Sequence, residues 1–301
     1  MRLATVITED GLRLHVRGRS GYVDVAEATG DSRLANLNAV LGGGPEVVEL
    51  VARAAEQEGR ELTEADYGPA VPEPRRILCF GVNYVEHALE GGRPPTKWPE
   101  VFVRGAESVA APYGELVKPE LTSRFDFEGE LGLVIGRGGR YIRAEDALKA
   151  IVGYTIVMDG TAREWQRAST QWTPGKNFDG TMPIGPEVVT TDELDASDVQ
   201  LTTTLNGEVM QSASTAQMIF NIPRCVEYVS SFTTLRPGDV IATGTPGGVG
   251  FARTPPVWLA PGDLLEVAVE GLGRIANRVV AEDGDRDGWP WVPPVSDKAT
   301  F

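Results

Sequence analysis

Two glutamates inside an apolar stretch most constrain how this chain can fold. The stretch runs from Phe125 to Gly136 and has the pattern of a β-strand, with Glu128 and Glu130 two positions apart. Side chains two residues apart point to the same face of a strand, so both carboxylates should emerge side by side. Adjacent buried carboxylates need a compensating positive charge, and an oxygen-only ligand set favours Mg²⁺, Mn²⁺ or Ca²⁺ over zinc. The alternative is an exposed sheet face on which both glutamates are solvated.

A second apolar run supplies a third carboxylate. It extends from Ile151 to Met158 and ends at Asp159, beside a glycine. Three carboxylates on one side of an ion leave coordination positions for water and substrate. We therefore predict a metal site formed by Glu128, Glu130 and Asp159, with Mg²⁺ or Mn²⁺ as the working ion and Ca²⁺ as a substitute in a crystal.

Composition narrows the class of protein. The 301 residues carry 28 Lys and Arg against 43 Asp and Glu, a formal net charge of −15, which disfavours nucleic acid and anionic membranes as partners. The two cysteines lie in apolar sequence and are interpreted as buried small hydrophobic residues. Residues 1–8 lack the pattern of a secretory signal, and no run is apolar enough to span a bilayer. We therefore expect a soluble cytoplasmic protein.

Turn residues divide the chain into three parts. Residues 1–70 have the pattern of a small α+β domain, with a hairpin turn at Asp10-Gly11 and a helix opened by Pro45. Residues 75–280 contain many short strands separated by Gly and Pro, including a hairpin at Asn206-Gly207. Residues 281–301 form an irregular tail. The pattern predicts a β-rich α+β fold with a small N-terminal domain.

A short helix carries a second candidate site. Asn83 is a suitable N-cap with Glu86 three residues later, and paired glycines follow Glu90, so the helix has about two turns. His87 and Glu90 are three residues apart and share one face. A carboxylate that orients an imidazole makes a general base near neutral pH, whereas the alternative is a surface pair. The Pro- and Gly-rich residues 91–99 suggest a mobile lid.

Two loops hold weaker candidates. Lys176 lies in residues 173–180 and is either a substrate ligand or a solvated lysine; the loop is not a P-loop, because Asn177 follows the lysine where Ser or Thr is required. Residues 242–250 are rich in glycine and offer the hydroxyl groups of Thr243 and Thr245, although a plain loop is the alternative.

Taken in order, these segments resemble the fumarylacetoacetate hydrolase family from about Arg75 to Val280. The resemblance implies a mixed β-sandwich roll with the site at one end, usually in a homodimer. Its motifs are Gly81-Val-Asn-Tyr-x-x-His87-x-x-Glu90, Phe127-Glu-Gly-Glu-Leu131, Gly153-Tyr-Thr-x-x-x-Asp159, Gly175-Lys-Asn-Phe178, Asn206-Gly-Glu208 with Gln211, and Pro237-Gly-Asp-Val-Ile-Ala-Thr-Gly-Thr-Pro246.

The resemblance also implies roles for individual residues. The metal ligands would again be the three acidic residues named above. His87 and Glu90 would activate water, Lys176 and Gln166 would contact substrate oxygens, Thr245 would bind a substrate carboxylate, and Arg163 is a further substrate-binding candidate. One departure is Arg104, which stands where many members carry lysine.

The activity implied by the resemblance is hydrolysis of a carbon–carbon bond in a small anionic β-diketo acid of the acylpyruvate type. The metal would act as a Lewis acid and as a sink for the enolate, while His87 takes a proton from the attacking water and Lys176 stabilises negative charge. The alternatives are decarboxylation of an oxaloacetate-like acid and isomerisation or dehydration of a related 2-oxo acid. A binding module with a structural Ca²⁺ is a third, non-enzymatic interpretation.

Overall fold

A computed structural model describes residues 1–284 of the chain, so the predicted tail, residues 281–301, falls almost entirely outside the described residues. The strands, in chain order, are β1 (Arg2–Thr8), β2 (Gly11–Arg17), β3 (Tyr22–Asp24), β4 (Ile77–Gly81), β5 (Glu100–Arg104), β6 (Val109–Ala110), β7 (Glu115–Lys118), β8 (Phe125–Asp126), β9 (Gly129–Ile135), β10 (Ile151–Met158), β11 (Thr161–Ala162), β12 (Met182–Thr190), β13 (Gln200–Leu205), β14 (Glu208–Ser214), β15 (Val240–Ala242), β16 (Leu264–Val269) and β17 (Gly273–Ala281).

Short helices connect the strands, together with single 3₁₀ turns. The α-helices are α1 (Val25–Thr29), α2 (Leu37–Gly42), α3 (Gly44–Ala54), α4 (Val85–Glu90), α5 (Arg163–Gln166), α6 (Thr173–Lys176) and α7 (Ile222–Phe232). Within residues 1–284, none of these helices has the length and apolar composition needed to cross a lipid bilayer. The predicted β-rich α+β class is confirmed.

A large mixed sheet forms the centre of the molecule. Nine of its ten strands follow the order β3-β2-β1-β12-β10-β9-β15-β4-β5, and β6 pairs with β12. A second sheet has the order β14-β13-β16-β17-β7. Strand β9 is buried on both faces: Leu131, Leu133 and Ile135 belong to the core shared with the second sheet, and Val134 belongs to the core shared with α2 and α3. The apolar stretch of β9 is therefore continuous because neither face meets water.

The N-terminal strands continue the large sheet. Strand β1 pairs with β2, which confirms the predicted hairpin, but its turn lies one residue earlier than predicted, at Glu9-Asp10, because Gly11 already pairs with Thr8. The other edge of β1 pairs with β12, where Leu3 faces Val188. Pro45 lies in the first turn of α3, as predicted. The division into domains 1–70 and 75–280 remains a prediction, since β1 to β3 share their hydrogen-bonded sheet with strands of the second part.

The second predicted hairpin is also confirmed. Strands β13 and β14 meet at Asn206-Gly207, where Leu205 faces Glu208. Both turn residues have positive φ, 52° at Asn206 and 84° at Gly207. This is the backbone of a two-residue turn that matches the twist of the flanking strands, and Asn-Gly adopts it with little strain.

Strand directions bring four chain segments to one edge of the large sheet. Strand β9 is antiparallel to β10 and β15, and β15 is parallel to β4. The beginning of β9 therefore lies beside the ends of β10, β15 and β4. Those ends carry the acidic, glycine-rich and histidine-bearing segments that the sequence analysis identified.

Candidate metal centre and substrate cavity

Three carboxylates converge at this edge. Glu128 lies just before β9, Glu130 lies within it, and Asp159 directly follows β10, where its backbone N–H donates to the Glu128 carbonyl oxygen at 2.8 Å. All three side chains are buried, and one oxygen from each lies within 4.8 Å of the others. The predicted ligands are thus assembled in a geometry that could hold a metal ion.

A lysine bridges two of these carboxylates. The Lys176 ammonium donates to Glu128 Oε2 and to Asp159 Oδ2, both at 2.6 Å. The side chain is only 1% exposed, so the alternative of a solvated loop lysine is wrong; Lys176 ends the short helix α6 and points inward. Burial lowers the pKa of Lys176, but the charges of Asp159 and Glu128 outweigh that effect and raise it.

Arg104 holds the other oxygen of Asp159. Its guanidinium group forms a hydrogen-bonded ion pair with Asp159 Oδ1 and donates to the Gly160 carbonyl oxygen at 3.0 Å and to Thr181 Oγ1 at 2.6 Å. The side chain is fully buried. Arg104, which stands where many members of the family carry lysine, therefore fixes the orientation of Asp159, a predicted metal ligand.

Arg163 is held by an aspartate that sequence reasoning missed. Arg163 Nη2 lies 2.7 Å from both Asp126 Oδ2 and Glu128 Oε1, and its Nη1 donates to Gln166 Oε1 at 2.9 Å. Asp126 also accepts from the backbone N–H groups of Gly250 and Phe251, at 2.8 and 3.0 Å. The sequence did offer one signal for Asp126, because it is a single aspartate between Phe125 and Phe127 at the end of strand β8.

The donor set fits a hard divalent cation. Among the described residues, Glu130 accepts one side-chain hydrogen bond, from the Gly244 N–H at 2.8 Å, and forms no ion pair. Burial, followed by the charges of Asp159 and Glu128, raises the pKa of Glu130 well above its usual range. Burial also acts on Glu128, but Lys176 and Arg163 outweigh it and lower the pKa of that carboxyl to about 2. Positive charge is therefore lacking at Glu130, where a divalent ion would supply it.

The charge count supports the same conclusion. At this sheet edge, four buried carboxylates that contact one another or the buried cations outnumber the three cations by one when all are ionised. A bound divalent ion would reverse this to one excess positive charge, which suits an anionic substrate. The groups counted are Asp126, Glu128, Glu130 and Asp159 against Arg104, Arg163 and Lys176.

The histidine and glutamate of α4 form the predicted pair. His87 Nδ1 lies 2.8 Å from Glu90 Oε1, and Glu90 Oε2 accepts from the Gly248 N–H at 2.7 Å. The side chains are 11% and 19% exposed, which argues against a solvated surface pair. Because an ionised carboxylate only accepts, Nδ1 carries the proton and Nε2 is left as the basic nitrogen.

Asn83 does not cap this helix, contrary to the prediction. Helix α4 begins at Val85 with Tyr84 at the N-cap position. The Asn83 amide group instead donates to the Thr243 carbonyl oxygen at 2.7 Å and to the Phe220 carbonyl oxygen at 3.0 Å. Its side chain therefore joins the loop after β4 to the loop after β15, a use that depends on residues far away in the chain.

The Thr245 hydroxyl is already engaged within the protein. It donates to the Gly129 carbonyl oxygen at 2.9 Å and accepts from Gln211 Nε2 at 2.7 Å. These bonds join the glycine-rich loop to the first residue of β9. Its predicted role as a ligand for a substrate carboxylate remains a prediction.

A cavity lies at the centre of this arrangement. Seven of the nine predicted site residues line it. The other two contact residues that line it: Glu90 contacts His87, and Asp159 contacts Lys176. Phe102, Trp172 and Phe251 provide apolar walls. The seven residues are His87, Glu128, Glu130, Arg163, Gln166, Lys176 and Thr245. The structure brings these seven side chains together around one cavity. Their individual roles remain predictions.

Comparison with known proteins identifies the class of protein that this fold and site define. Residues 76–280 match the family model described as "Fumarylacetoacetate (FAA) hydrolase C-terminal". The chain belongs to the fumarylacetoacetate hydrolase family, a family of enzymes, and the predicted membership is confirmed.

Particular relatives agree in sequence and in fold. The Homo sapiens protein named oxaloacetate tautomerase FAHD2A, mitochondrial, is 42% identical over 232 residues, which cover 76% of this chain and 74% of the relative. The fumarylacetoacetate hydrolase of Exiguobacterium antarcticum has a TM-score of 0.82 and 33% identity. The 5-carboxymethyl-2-hydroxymuconate delta-isomerase of Mycobacterium smegmatis has a TM-score of 0.73 and 32% identity. Both structures cover 94% of this chain and are covered completely. The predicted fold type is therefore confirmed.

The same relatives correct the predicted localisation. The Homo sapiens and Bos taurus tautomerases are named mitochondrial proteins, which contradicts the expectation of a cytoplasmic protein. That expectation rested on the absence of a secretory signal pattern. The absence of a secretory signal carries no information on import into an organelle such as the mitochondrion.

Proposed function

We propose that this chain is a divalent-metal-dependent enzyme that transfers a proton at the carbon next to the keto group of small 2-oxo acids, with oxaloacetate as the first candidate substrate. The observation that carries the proposal is the convergence of the acidic triad, the Lys176 and Arg163 cations and a carboxylate-held histidine on one small cavity. The names of the relatives at about 42% identity support this choice within the family.

The acidic triad would hold the ion, which when bound would polarise the keto oxygen and acidify the neighbouring carbon. Arg163 and Lys176 present fixed positive charge towards the cavity and stabilise negative charge that develops on the substrate oxygen. These charges cost no reorganisation during the reaction, because Asp126 and the triad already hold both side chains in place.

His87 is the proposed base. Its Nδ1 proton is held by Glu90, and Glu90 is itself held by the Gly248 N–H. The imidazole is therefore fixed in the tautomer whose basic nitrogen is Nε2. In the proton-transfer reaction, Nε2 takes the proton from the carbon next to the keto group and returns it to the keto oxygen, so that the keto acid becomes its enol and the imidazole is regenerated.

Hydrolysis of an acylpyruvate is the second candidate. The same His87–Glu90 pair, at 2.8 Å, is also suited to removing a proton from water that attacks the distal carbonyl group. The two reactions need the same positive charges and differ in whether water enters. Decarboxylation of oxaloacetate is a third possible outcome of the chemistry at the same cavity.

Product analysis separates these reactions. Proton NMR in D₂O follows Mg²⁺-replete protein with oxaloacetate and with acylpyruvates, and metal-stripped protein serves as the control. Metal-dependent exchange at the carbon next to the keto group without loss of carbon supports tautomerisation. Two acids released from an acylpyruvate would instead establish the hydrolase, and pyruvate with CO₂ would establish the decarboxylase.

Substitution of the histidine pair tests the proposed base. We expect His87→Ala to lower turnover by about 10²-fold or more, because general-base catalysis contributes that much. Glu90→Gln should also lower turnover, since the amide no longer fixes the basic tautomer. Wild-type turnover in both variants, with unchanged folding by circular dichroism, would contradict the assignment.

A further inference from the structure

Two side chains hold the backbone of Gly129, the glycine between the two glutamates of the acidic triad. Strand β15 pairs with β9 from Gly132 to Val134, so Gly129 lies beyond the end of that ladder. Buried backbone N–H and C=O groups need partners. The Gly129 N–H donates to Gln211 Oε1 at 3.0 Å, and the Gly129 carbonyl oxygen accepts from the Thr245 hydroxyl at 2.9 Å. Side chains therefore continue the pairing that β15 provides further along β9.

Gln211 uses its whole amide group in this arrangement. Its Nε2 donates to Thr245 Oγ1 at 2.7 Å and to the Pro246 carbonyl oxygen at 2.9 Å, while Oε1 holds Gly129. The side chain is buried, so each of its polar atoms is both shielded from water and hydrogen-bonded. One side chain from the second sheet therefore joins the start of β9 to the glycine-rich loop after β15.

The shape of β14 directs this side chain towards the triad. Adjacent side chains of a strand normally point to opposite faces, yet Met210 and Gln211 are both buried. The register of β13 and β14 shifts at this point, because Thr203 faces Gln211 whereas Thr204 faces Val209. Met210 is therefore the extra residue of a β-bulge, and a bulge of this kind redirects the neighbouring side chain.

Gly129 also lies directly against the second sheet. An added Cβ would lie 2.3 Å from Thr203 Oγ1 and 2.9 Å from Val267 Cγ1, so no side chain fits there. Because Gly129 links Glu128 directly to Glu130, a shift of its two peptide groups would move both carboxylates. The hydrogen bonds to Gly129 therefore control how the two glutamates are presented.

We propose that Gln211 is a positioning residue for the metal centre, which fixes the Gly129 backbone so that the Glu128 and Glu130 carboxylates converge on one ion. This inference rests on the proposed metal-dependent function. Gln211 lies outside the set of residues that line the cavity. It acts through the backbone of Gly129 and not by direct contact with the ion or the substrate.

Magnesium binding to the full chain tests this role, with the Kd measured by calorimetry for the wild type, Gln211→Met and Thr245→Val. Gln211→Met keeps the length of the side chain and removes its hydrogen bonds, while Thr245→Val removes the bond to the Gly129 carbonyl oxygen. Gln200→Met is the matched control, because Gln200 is an exposed, hydrogen-bonded glutamine of the same sheet. Circular dichroism checks the fold of each variant.

We expect Gln211→Met to raise the Kd of Mg²⁺ about 10- to 100-fold, since loss of a group that orients metal ligands has this effect. Thr245→Val should also raise the Kd. The electron paramagnetic resonance spectrum of bound Mn²⁺ should change in both variants, whereas Gln200→Met should keep the wild-type Kd and spectrum.

A residue that only supports packing would change stability and leave the metal site as it is. An unchanged Kd and Mn²⁺ spectrum in folded Gln211→Met, even with a lower Tm, would therefore overturn the proposal. If Gln211→Met does not fold, a raised Kd in Thr245→Val supports the proposal and an unchanged Kd overturns it.

The positioning role and the proposed function fail in different ways. If Mg²⁺ binds in a Gln211-dependent manner but no 2-oxo acid is turned over, only the proposed function fails. If oxaloacetate is turned over with Mg²⁺ and Gln211→Met binds the ion as tightly as the wild type, only the positioning role fails. A wild-type chain that binds neither Mg²⁺ nor Mn²⁺ overturns both.

Discussion

At the scale of single residues, the site is a set of buried charges that stabilise one another. Asp159 receives one cation on each carboxylate oxygen, from Arg104 and Lys176. Glu128 is similarly placed between Lys176 and Arg163. Removing one member of such a set leaves its partner charged and desolvated, which costs more than the pair itself contributes.

Arg104→Met tests this dependence. We expect the substitution to lower the free energy of unfolding by about 3 kcal/mol in EDTA, because Asp159 loses the cation on Oδ1 inside the protein. Saturating Mg²⁺ should reduce that loss, since a bound ion replaces part of the missing positive charge. Urea unfolding with EDTA and with Mg²⁺ measures both values.

The exposed Arg137 provides the control for this experiment. Arg137→Gln should leave the free energy of unfolding within about 0.5 kcal/mol of the wild type under both conditions. An Arg104→Met protein as stable as the wild type in EDTA would mean that Asp159 is neutral or solvated in the folded state.

The two cysteines give a prediction about pH. Burial raises the pKa of both thiols, and at Cys79 the charges of Asp159 and Glu130 add to the effect. The thiolate is the reactive form, so both thiols should stay protonated and unreactive towards Ellman's reagent at pH 8. Two thiols should appear when the protein is unfolded in urea, and rapid reaction of the folded protein would contradict their burial.

At the scale of the elements, one sheet edge organises the site. The beginning of β9 and the ends of β10, β15 and β4 meet there because of the directions in which the strands pair. The loops that follow β4 and β15 are tied together by Asn83, and the second loop supplies the backbone N–H groups that hold Glu130 and Glu90. The glycine-rich loop is therefore part of the site through its backbone.

Gly248→Ala tests the contribution of this loop. Gly248 has a φ of 102°, and an added Cβ would overlap the Met210 carbonyl oxygen. We expect stability to fall by about 1–3 kcal/mol. Turnover should also fall, because the N–H that anchors Glu90 moves. Thermal unfolding and turnover measure the two effects.

Gly262→Ala is the matched control for that substitution. Gly262 has a similar φ of 99°, but no atom lies within 4 Å of the added Cβ, and the residue lies in the turn before β16. It should therefore lose stability through backbone strain and retain turnover. Equal loss of turnover in the two variants would show that the Glu90 anchor is unimportant.

At the scale of the whole molecule, we expect metal binding at the acidic triad to stabilise the fold. An ion that binds only the folded chain stabilises it by about 2.7 kcal/mol at a concentration of 100 times the Kd. We therefore expect Mg²⁺ or Mn²⁺ to raise the Tm and EDTA to remove the increase. Glu130→Gln should abolish the response while keeping the fold, and an unchanged response would exclude Glu130 as a ligand.

Much of this architecture could be predicted from sequence because it depends on local rules. Two-residue alternation placed Glu128 and Glu130 on one side, three-residue spacing paired His87 with Glu90, and Asn-Gly predicted the β13–β14 hairpin. Each of these patterns is set by backbone geometry within a few residues, so it survives in any fold that keeps the element.

Only the tertiary structure decided which distant groups meet. Asn83 looked like a helix cap, yet its partners lie 137 and 160 residues away. The burial of Lys176, the role of Arg104 at Asp159 and the support of Arg163 by Asp126 depend on strand order and on loops that approach from different parts of the chain. A side chain's charge environment is a property of three-dimensional packing, because desolvation and ion pairing depend on distance in space and not on separation in sequence.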